Sequence, residues 1–213
     1  MGIPKLYGTE IPARSLAILE GLYANVENNI AAEDGRGSLT VTFLLSMAMP
    51  MIIVPFERFK QKNDRANEFN TDKVVFVEFR RLMKKKVHEV DWIKSAEWAY
   101  FRNSSKEDKV VLVPEGLPLE VADRLNEPEA NAIVAELTVN DVIKCFRHSL
   151  AHGNVAYLDA NGQTSYDGEA SYLAFVCDFE NRRGSQVLRI SIPAFREFLS
   201  CWGDWLRRRA VNL

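Results

Sequence analysis

From Leu39 to Phe56 the chain carries no charged residue, although 26% of all its residues are charged. An uncharged run of that length has two destinations. It crosses a bilayer, for which about 17 residues is the minimum, or it packs as an apolar helix inside a protein. Thr40, Thr42, Ser46, Pro50 and Pro55 interrupt the run, and Glu57, Arg58 and Lys60 follow it directly. Neither a second span nor an aromatic belt accompanies it, so a buried core helix is favoured and no membrane partner is expected. Ser38 is placed to cap this helix, with a kink at Pro50 and an end at Pro55.

The segments around it also carry helical periodicity. Leu16, Leu19, Tyr23, Val26 and Ile30 recur at steps of three and four, with Pro12 in the first turn and Asp34-Gly35-Arg36-Gly37 ending the helix. A third helix is predicted from about Asn70 to Lys86, with Val74, Val77 and Leu82 inward. Its tail, residues 80–86, places cations where a helix C-terminus favours them; a phosphate-facing patch is the alternative. Residues 87–136 lack a clean period. Trp92, Trp98, Tyr100 and Phe101 indicate a packed segment there, and Val110-Val111-Leu112-Val113 a short strand.

Thr138 opens a strong helix through about His152. Beyond Gly153, residues 172–179 and 186–192 are β-rich and separated by a polar turn, a hairpin pattern. Pro193 then opens a last helix with Phe195, Phe198, Leu199, Trp202 and Leu206 inward and Arg207, Arg208 and Arg209 at its end. The expected fold is mainly α: a helical bundle with a β-hairpin, at about 170–192, before the last helix. At 213 residues and 47% apolar content the whole chain, 1–213, suits a single domain.

Composition narrows the function classes. The net charge of −2 supplies no global basic field, which argues against a general duplex-binding protein. An RNA-cleaving site needs basic groups along one groove only. The three cysteines, Cys145, Cys177 and Cys201, form no CxxC pair and fit a reducing cytosol better than a zinc site. The first residues show no secretory pattern, and Leu6 breaks the myristoylation pattern, so a cytoplasmic protein is expected. P-loop, G-x-G-x-x-G and G-x-S-x-G patterns are lacking. The four tryptophans fit core packing better than base stacking.

The chemistry concentrates on the helix that Thr138 opens. At 100° per residue from Val139, the residues Val142, Ile143, Phe146 and Leu150 fall within about 60° of one direction and form the core stripe. Arg147 flanks that stripe at about 80°, and His148 and His152 lie opposite, near 180° and 220°. The two histidines therefore point away from the protein's own core.

Arg147-His148-Ser149-Leu150-Ala151-His152, followed by Gly153-Asn154, resembles the Rx4-6H motif of the HEPN (higher eukaryotes and prokaryotes nucleotide-binding) superfamily. The resemblance is sharp over residues 139–154 and rests on helical architecture elsewhere. It implies a symmetric homodimer in which two motif helices face each other and share one cleft. In catalytic members that cleft cleaves RNA without a metal or other cofactor, leaving a 2′,3′-cyclic phosphate. The side chains suit this chemistry. An imidazole, with a reference pKa of about 6.5, can take the 2′-OH proton or protonate the leaving oxygen. A guanidinium stays charged and can fork two hydrogen bonds to the phosphate.

By this resemblance His152 is the acid/base candidate, Arg147 the phosphate clamp and His148 the orienting polar residue. Ser149 and Asn154 are candidates for substrate contact. A toxin or antiphage setting with a neutralising antitoxin partner fits the same expectation. Three other readings stay open. The His148/His152 spacing also suits metal ligands, although no further ligand is evident. Arg147 also suits a structural ion pair, with both histidines as plain surface residues. A HEPN fold also serves noncatalytic nucleotide-binding or interaction modules.

Overall fold

A computed structural model describes residues 4, 6–29, 39–60, 73–103, 116–166, 169–178 and 184–211. The described helices are α1 (Tyr7–Asn29), α2 (Thr40–Lys60), α3 (Lys73–Met83), α4 (Leu119–Asn126), α5 (Pro128–Glu136), α6 (Val139–His152) and α7 (Ile192–Val211). The strands are β1 (Trp98–Asn103), β2 (Val155–Leu158), β3 (Tyr172–Asp178) and β4 (Ser185–Ser191), in the antiparallel order β1-β4-β3-β2. The fold is mainly α with a small four-stranded sheet.

The expected hairpin is therefore the centre of a larger sheet. The β3–β4 pair runs in register from Tyr172 opposite Ser191 to Asp178 opposite Ser185. Beta strand β1 adds to its β4 side, pairing Trp98 with Ile190 and Asn103 with Ser185, and β2 adds to its β3 side. Side chains alternate between the two faces. Trp98, Tyr100, Leu173, Phe175, Cys177, Leu188 and Ile190 join the core formed with the long helices. Ala99, Ala156, Leu158, Ala174, Val176 and Val187 face a second cluster completed by Leu117, Val121, Leu125 and Ala130 of the α4–α5 region. The inner strands are thus covered on both sides.

The first core is dense in aromatic rings. Phe146 of α6 is fully buried and packs on Trp98, Phe175, Phe195 and Phe198, with ring centroids 4.7 to 6.0 Å away. Trp98, Trp202 and Trp205 are buried and Trp92 is partly so. Helix α7 approaches α1 and α2 closely at Gly203, where a Cβ would lie 2.9 Å from Met51 Cε and 3.0 Å from Leu16 Cδ2.

Several helix boundaries differ from expectation for identifiable reasons. Helix α1 begins at Tyr7, a turn before the proline, where Glu10 Oε1 accepts from the Leu6 N–H at 3.0 Å. Its Leu16, Leu19, Tyr23 and Val26 are buried as the period requires. Helix α2 runs through Pro55 to Lys60 instead of ending there. Pro55 has no N–H to give the Met51 carbonyl, and the Trp202 indole N–H donates to that oxygen instead, at 2.7 Å.

Nor is α2 wholly buried. Leu44, Ala48, Met51, Ile52, Phe56 and Phe59 enter the core, while Thr42, Ser46 and Met49 are exposed. The stretch Thr40–Phe59 is long and apolar enough to cross a membrane by length and composition, but it is also the packing partner of α1 and α6 here. Helix α3 turns Val75, Phe79 and Leu82 inward and leaves Val77 66% exposed, which corrects the expected inward Val77. Ile30, the turn at 34–37, Ser38, Asn70 and the expected strand at 110–113 lie outside the described residues.

Candidate functional site

Helix α6 is fixed at both ends. At its start Thr138 Oγ1 accepts from Asp141 N–H at 3.1 Å, and Asp141 Oδ2 accepts from Thr138 N–H at 3.1 Å and from Thr138 Oγ1 at 2.6 Å, a reciprocal capping box. The Val139 N–H also reaches the Lys85 carbonyl at 2.9 Å, tying this end to the segment after α3. At its finish Gly153 adopts a left-handed conformation (φ 68°, ψ 20°), and the Gly153 and Asn154 N–H groups both donate to the Ser149 carbonyl. The Asn154 carbonyl accepts from the Val176 N–H at 3.0 Å, so the chain leaves the helix already bonded to the sheet.

Between these ends the helix buries a wider arc than the core stripe alone. Cys145 and Ser149 are 1% and 0% exposed, because β3 covers the flank opposite Arg147. The Ser149 hydroxyl donates to the Val176 carbonyl at 2.9 Å, and the Cys145 thiol to the Phe175 carbonyl at 3.4 Å. The Cys145 and Cys177 thiols also contact each other. That hydrogen bond holds the Cys145 thiol well above its ordinary pKa, with burial adding to the effect, and it lowers that of Cys177. Ser149, expected among the substrate contacts, here faces inward and pins α6 to β3.

Arg147 reaches across to α2. Its Nε donates to Glu57 Oε1 at 2.7 Å, and Nη2 lies 2.6 Å from the same oxygen. The side chains are 23% and 38% exposed, so the pair sits at the rim of the core rather than inside it. His148 is half-buried and His152 exposed, with ring centroids 6.3 Å apart and planes 25° from parallel. Asn154 is exposed just beyond them. The structure thus leaves His148 and His152 aligned on the outward side of α6, while Arg147 lies on the flank of the helix, turned toward α2.

The amino-acid sequence matches the family model described as HEPN pEK499 p136 over residues 1–212. The chain belongs to this HEPN family. No curated protein and no solved structure gave a significant match. Within this HEPN chain, Glu57 is the site residue that the sequence reading missed. Its one visible signal was its position as the first charge after the long apolar run.

Among the described residues, no group of three His, Cys, Asp or Glu side chains is placed to hold a metal ion, so His148 and His152 gain no third ligand there. The cationic segments fare differently from one another. Arg207 pairs with Asp204, and Arg209 pairs with Glu78 while lying 3.9 Å over the Trp205 ring. Lys86 donates to the Glu136 carbonyl. Lys84 and Lys85 are exposed next to the start of α6. A separate cleft of about 270 Å³, lined by Glu97, Asn131, Tyr172 and Arg189 among others, sits by the opposite face of the sheet.

Proposed function

We propose that this HEPN protein is a metal-independent endoribonuclease whose working site forms when two copies pair their α6 faces. The observation that carries the reading is the alignment of His148 and His152 on the outward side of α6, with Arg147 on the adjoining flank of the same helix and bonded to Glu57. In the reaction a neutral histidine takes the 2′-OH proton. The 2′ oxygen attacks phosphorus and the P–O5′ bond breaks, leaving a 2′,3′-cyclic phosphate. A histidinium, supplied by His152 of the partner subunit, protonates the departing 5′ oxygen. Arg147 offers its guanidinium to the phosphate as negative charge develops. His148 orients the site and Asn154 contacts substrate beside it. Such an enzyme would act in the cytoplasm as a toxin or antiphage effector held in check by a neutralising partner.

A noncatalytic nucleotide-binding or interaction module of the same family is the second reading, and one observation favours it. Glu57 already neutralises Arg147, as it would in a purely structural ion pair.

The test is RNA cleavage in EDTA by the wild type, Arg147→Ala and His152→Ala, with oligomeric state measured alongside. Cyclic-phosphate ends made by a wild-type dimer, and lost in both dimeric variants, would support the ribonuclease. Equal activity in all three would discard these residues, a monomer at micromolar concentration would discard the shared site, and a dimer without cleavage would favour the noncatalytic module.

A further inference from the structure

Arg189 stands on β4 between Ala99 of β1 and Ala174 of β3, on the face of the sheet turned away from α6. The small neighbours leave room over the sheet, and the cleft of about 270 Å³ opens there, lined by Ala99 and the half-buried Arg189. The guanidinium is held in place by neutral groups. Nη1 donates to Asn126 Oδ1 and Nη2 to the Leu125 carbonyl at 2.8 Å, while the group lies 4.8 Å from the Tyr172 ring centroid. Each η nitrogen keeps a further N–H without a partner, and Nε is buried with none. Among the described residues no carboxylate pairs with this cation. Burial pulls its pKa down, and only the Tyr172 phenol opposes that. A desolvated charge of this kind is ordinarily paired in a folded protein.

The same cleft also presents acceptors. Glu97, exposed at its rim, accepts from the Ser191 hydroxyl on Oε2 and has no cationic partner among the described residues. It is not among the charges that act on Arg189, so the two stand apart in the lining. Asn131 donates its Nδ2 to the carbonyls of Ser95, Ala96 and Trp98 at 2.7 to 3.0 Å, which leaves its Oδ1 as an acceptor without a partner. Glu127, by contrast, is engaged by Arg124 at 3.2 Å. The volume falls just below the range of drug-sized ligands and suits a smaller molecule.

We infer that this cleft binds a free α-amino acid with an uncharged side chain, its carboxylate on the Arg189 guanidinium and its ammonium on Glu97 and Asn131 Oδ1. The planar carboxylate matches a guanidinium that still has N–H groups to give. A simple anion would leave Glu97 opposing it, and a simple cation would leave Arg189 uncompensated. A zwitterion answers both charges. Pro128 and Tyr172 in the lining supply apolar surface for the side chain. The site lies across the sheet from α6 and does not rest on the ribonuclease reading.

The experiment titrates the full chain with glycine, L-serine, L-leucine and L-phenylalanine by calorimetry, each beside its N-acetyl form, which lacks the ammonium, and its amide, which lacks the carboxylate. At least one free amino acid should bind saturably, and its two derivatives should bind about tenfold more weakly, the loss expected for one charge-assisted hydrogen bond. Glu97→Gln should weaken the free amino acid by a similar factor and leave the N-acetyl form as it was. Arg189→Lys, which keeps the charge and loses the fork, should weaken both. Should Arg189→Lys fail to fold, Glu97→Gln decides alone, because it alters only an exposed side chain. No saturable binding of any of these amino acids at millimolar concentration would overturn the site. Equal binding of an amino acid and its derivatives, or full affinity in Glu97→Gln, would overturn it as well.

Discussion

Arg147 Nε and Glu57 Oε1 meet at 2.7 Å across a sequence separation of 90 residues, joining the candidate helix α6 to the end of α2. Both side chains reach solvent in part, so the pair contributes little to stability, about 0 to 1 kcal/mol. Its larger effect is on geometry, because it selects one orientation of the guanidinium. Glu57→Gln should therefore change the urea midpoint only slightly. If Arg147 clamps phosphate, RNA cleavage should fall by up to about 10²-fold as that orientation is lost. A large stability loss with unchanged activity per folded molecule would assign the pair to scaffolding instead.

Ser149→Ala separates structure from substrate contact at a neighbouring position. Its hydroxyl is buried and bonded to the Val176 carbonyl, so the substitution should destabilise the fold by about 1 to 3 kcal/mol in urea titration. Cleavage per folded molecule should hold. A selective rise in KM with unchanged stability would return Ser149 to the substrate.

Trp202→Phe tests the bond that lets α2 continue past Pro55. Removing the indole N–H leaves the buried Met51 carbonyl without that donor, at a cost of about 1 to 3 kcal/mol, and the smaller ring adds a packing defect. The loss should appear in both thermal and urea unfolding. A midpoint equal to the wild type would show that the helix tolerates the proline without the indole.

Tyr100 sets an alkaline limit. Burial pushes its phenol pKa well above the ordinary value of 10, and its hydroxyl donates to Gln186 Oε1 at 2.7 Å. Above pH 10 the unfolded chain loses this proton while the folded protein keeps it. Stability therefore falls as pH rises through that window, by up to about 1.4 kcal/mol per pH unit from this group, and is unaffected by it at lower pH. Tyr100→Phe should start less stable, because Gln186 loses its donor, but should show a shallower alkaline decline. An identical decline in both proteins would place the titration elsewhere, with Tyr23 and Tyr157, whose pKa values are also raised, as the next residues to test.

The parts of this fold that were legible in the sequence are those in which one surface is buried and one is not. Helices α6 and α7 show that contrast, and the polar run in the sequence at 180–185, between two β-rich stretches, announces the hairpin. Strand β1 does not, because the two clusters cover its first half from both sides and erase the alternation that marks a strand. Helices α4 and α5, of 8 and 9 residues, are too short for a period to emerge from the 87–136 stretch. Val77 failed for a different reason: α3 is apolar at several phases, and only packing selects Val75, Phe79 and Leu82. At the candidate site, the direction of the histidines follows from helix geometry alone. The inward turn of Ser149 does not, since it depends on β3 lying beside α6. Glu57 was hidden by distance along the chain.

The left-handed turn at Gly153 bears on how His152 behaves in time. A helix ordinarily frays at its last turn, and a side chain there samples many orientations before it meets a ligand. Here two N–H groups close onto the Ser149 carbonyl and the next residue is already held by β3, while a Cβ at Gly153 would meet open space. Gly153→Ala therefore acts through backbone conformation alone, at about 1 kcal/mol. In amide exchange, the final turn of α6 should be protected like the sheet rather than like a terminus. The imidazole then meets its ligand with its backbone already ordered, and less entropy remains to be lost on binding.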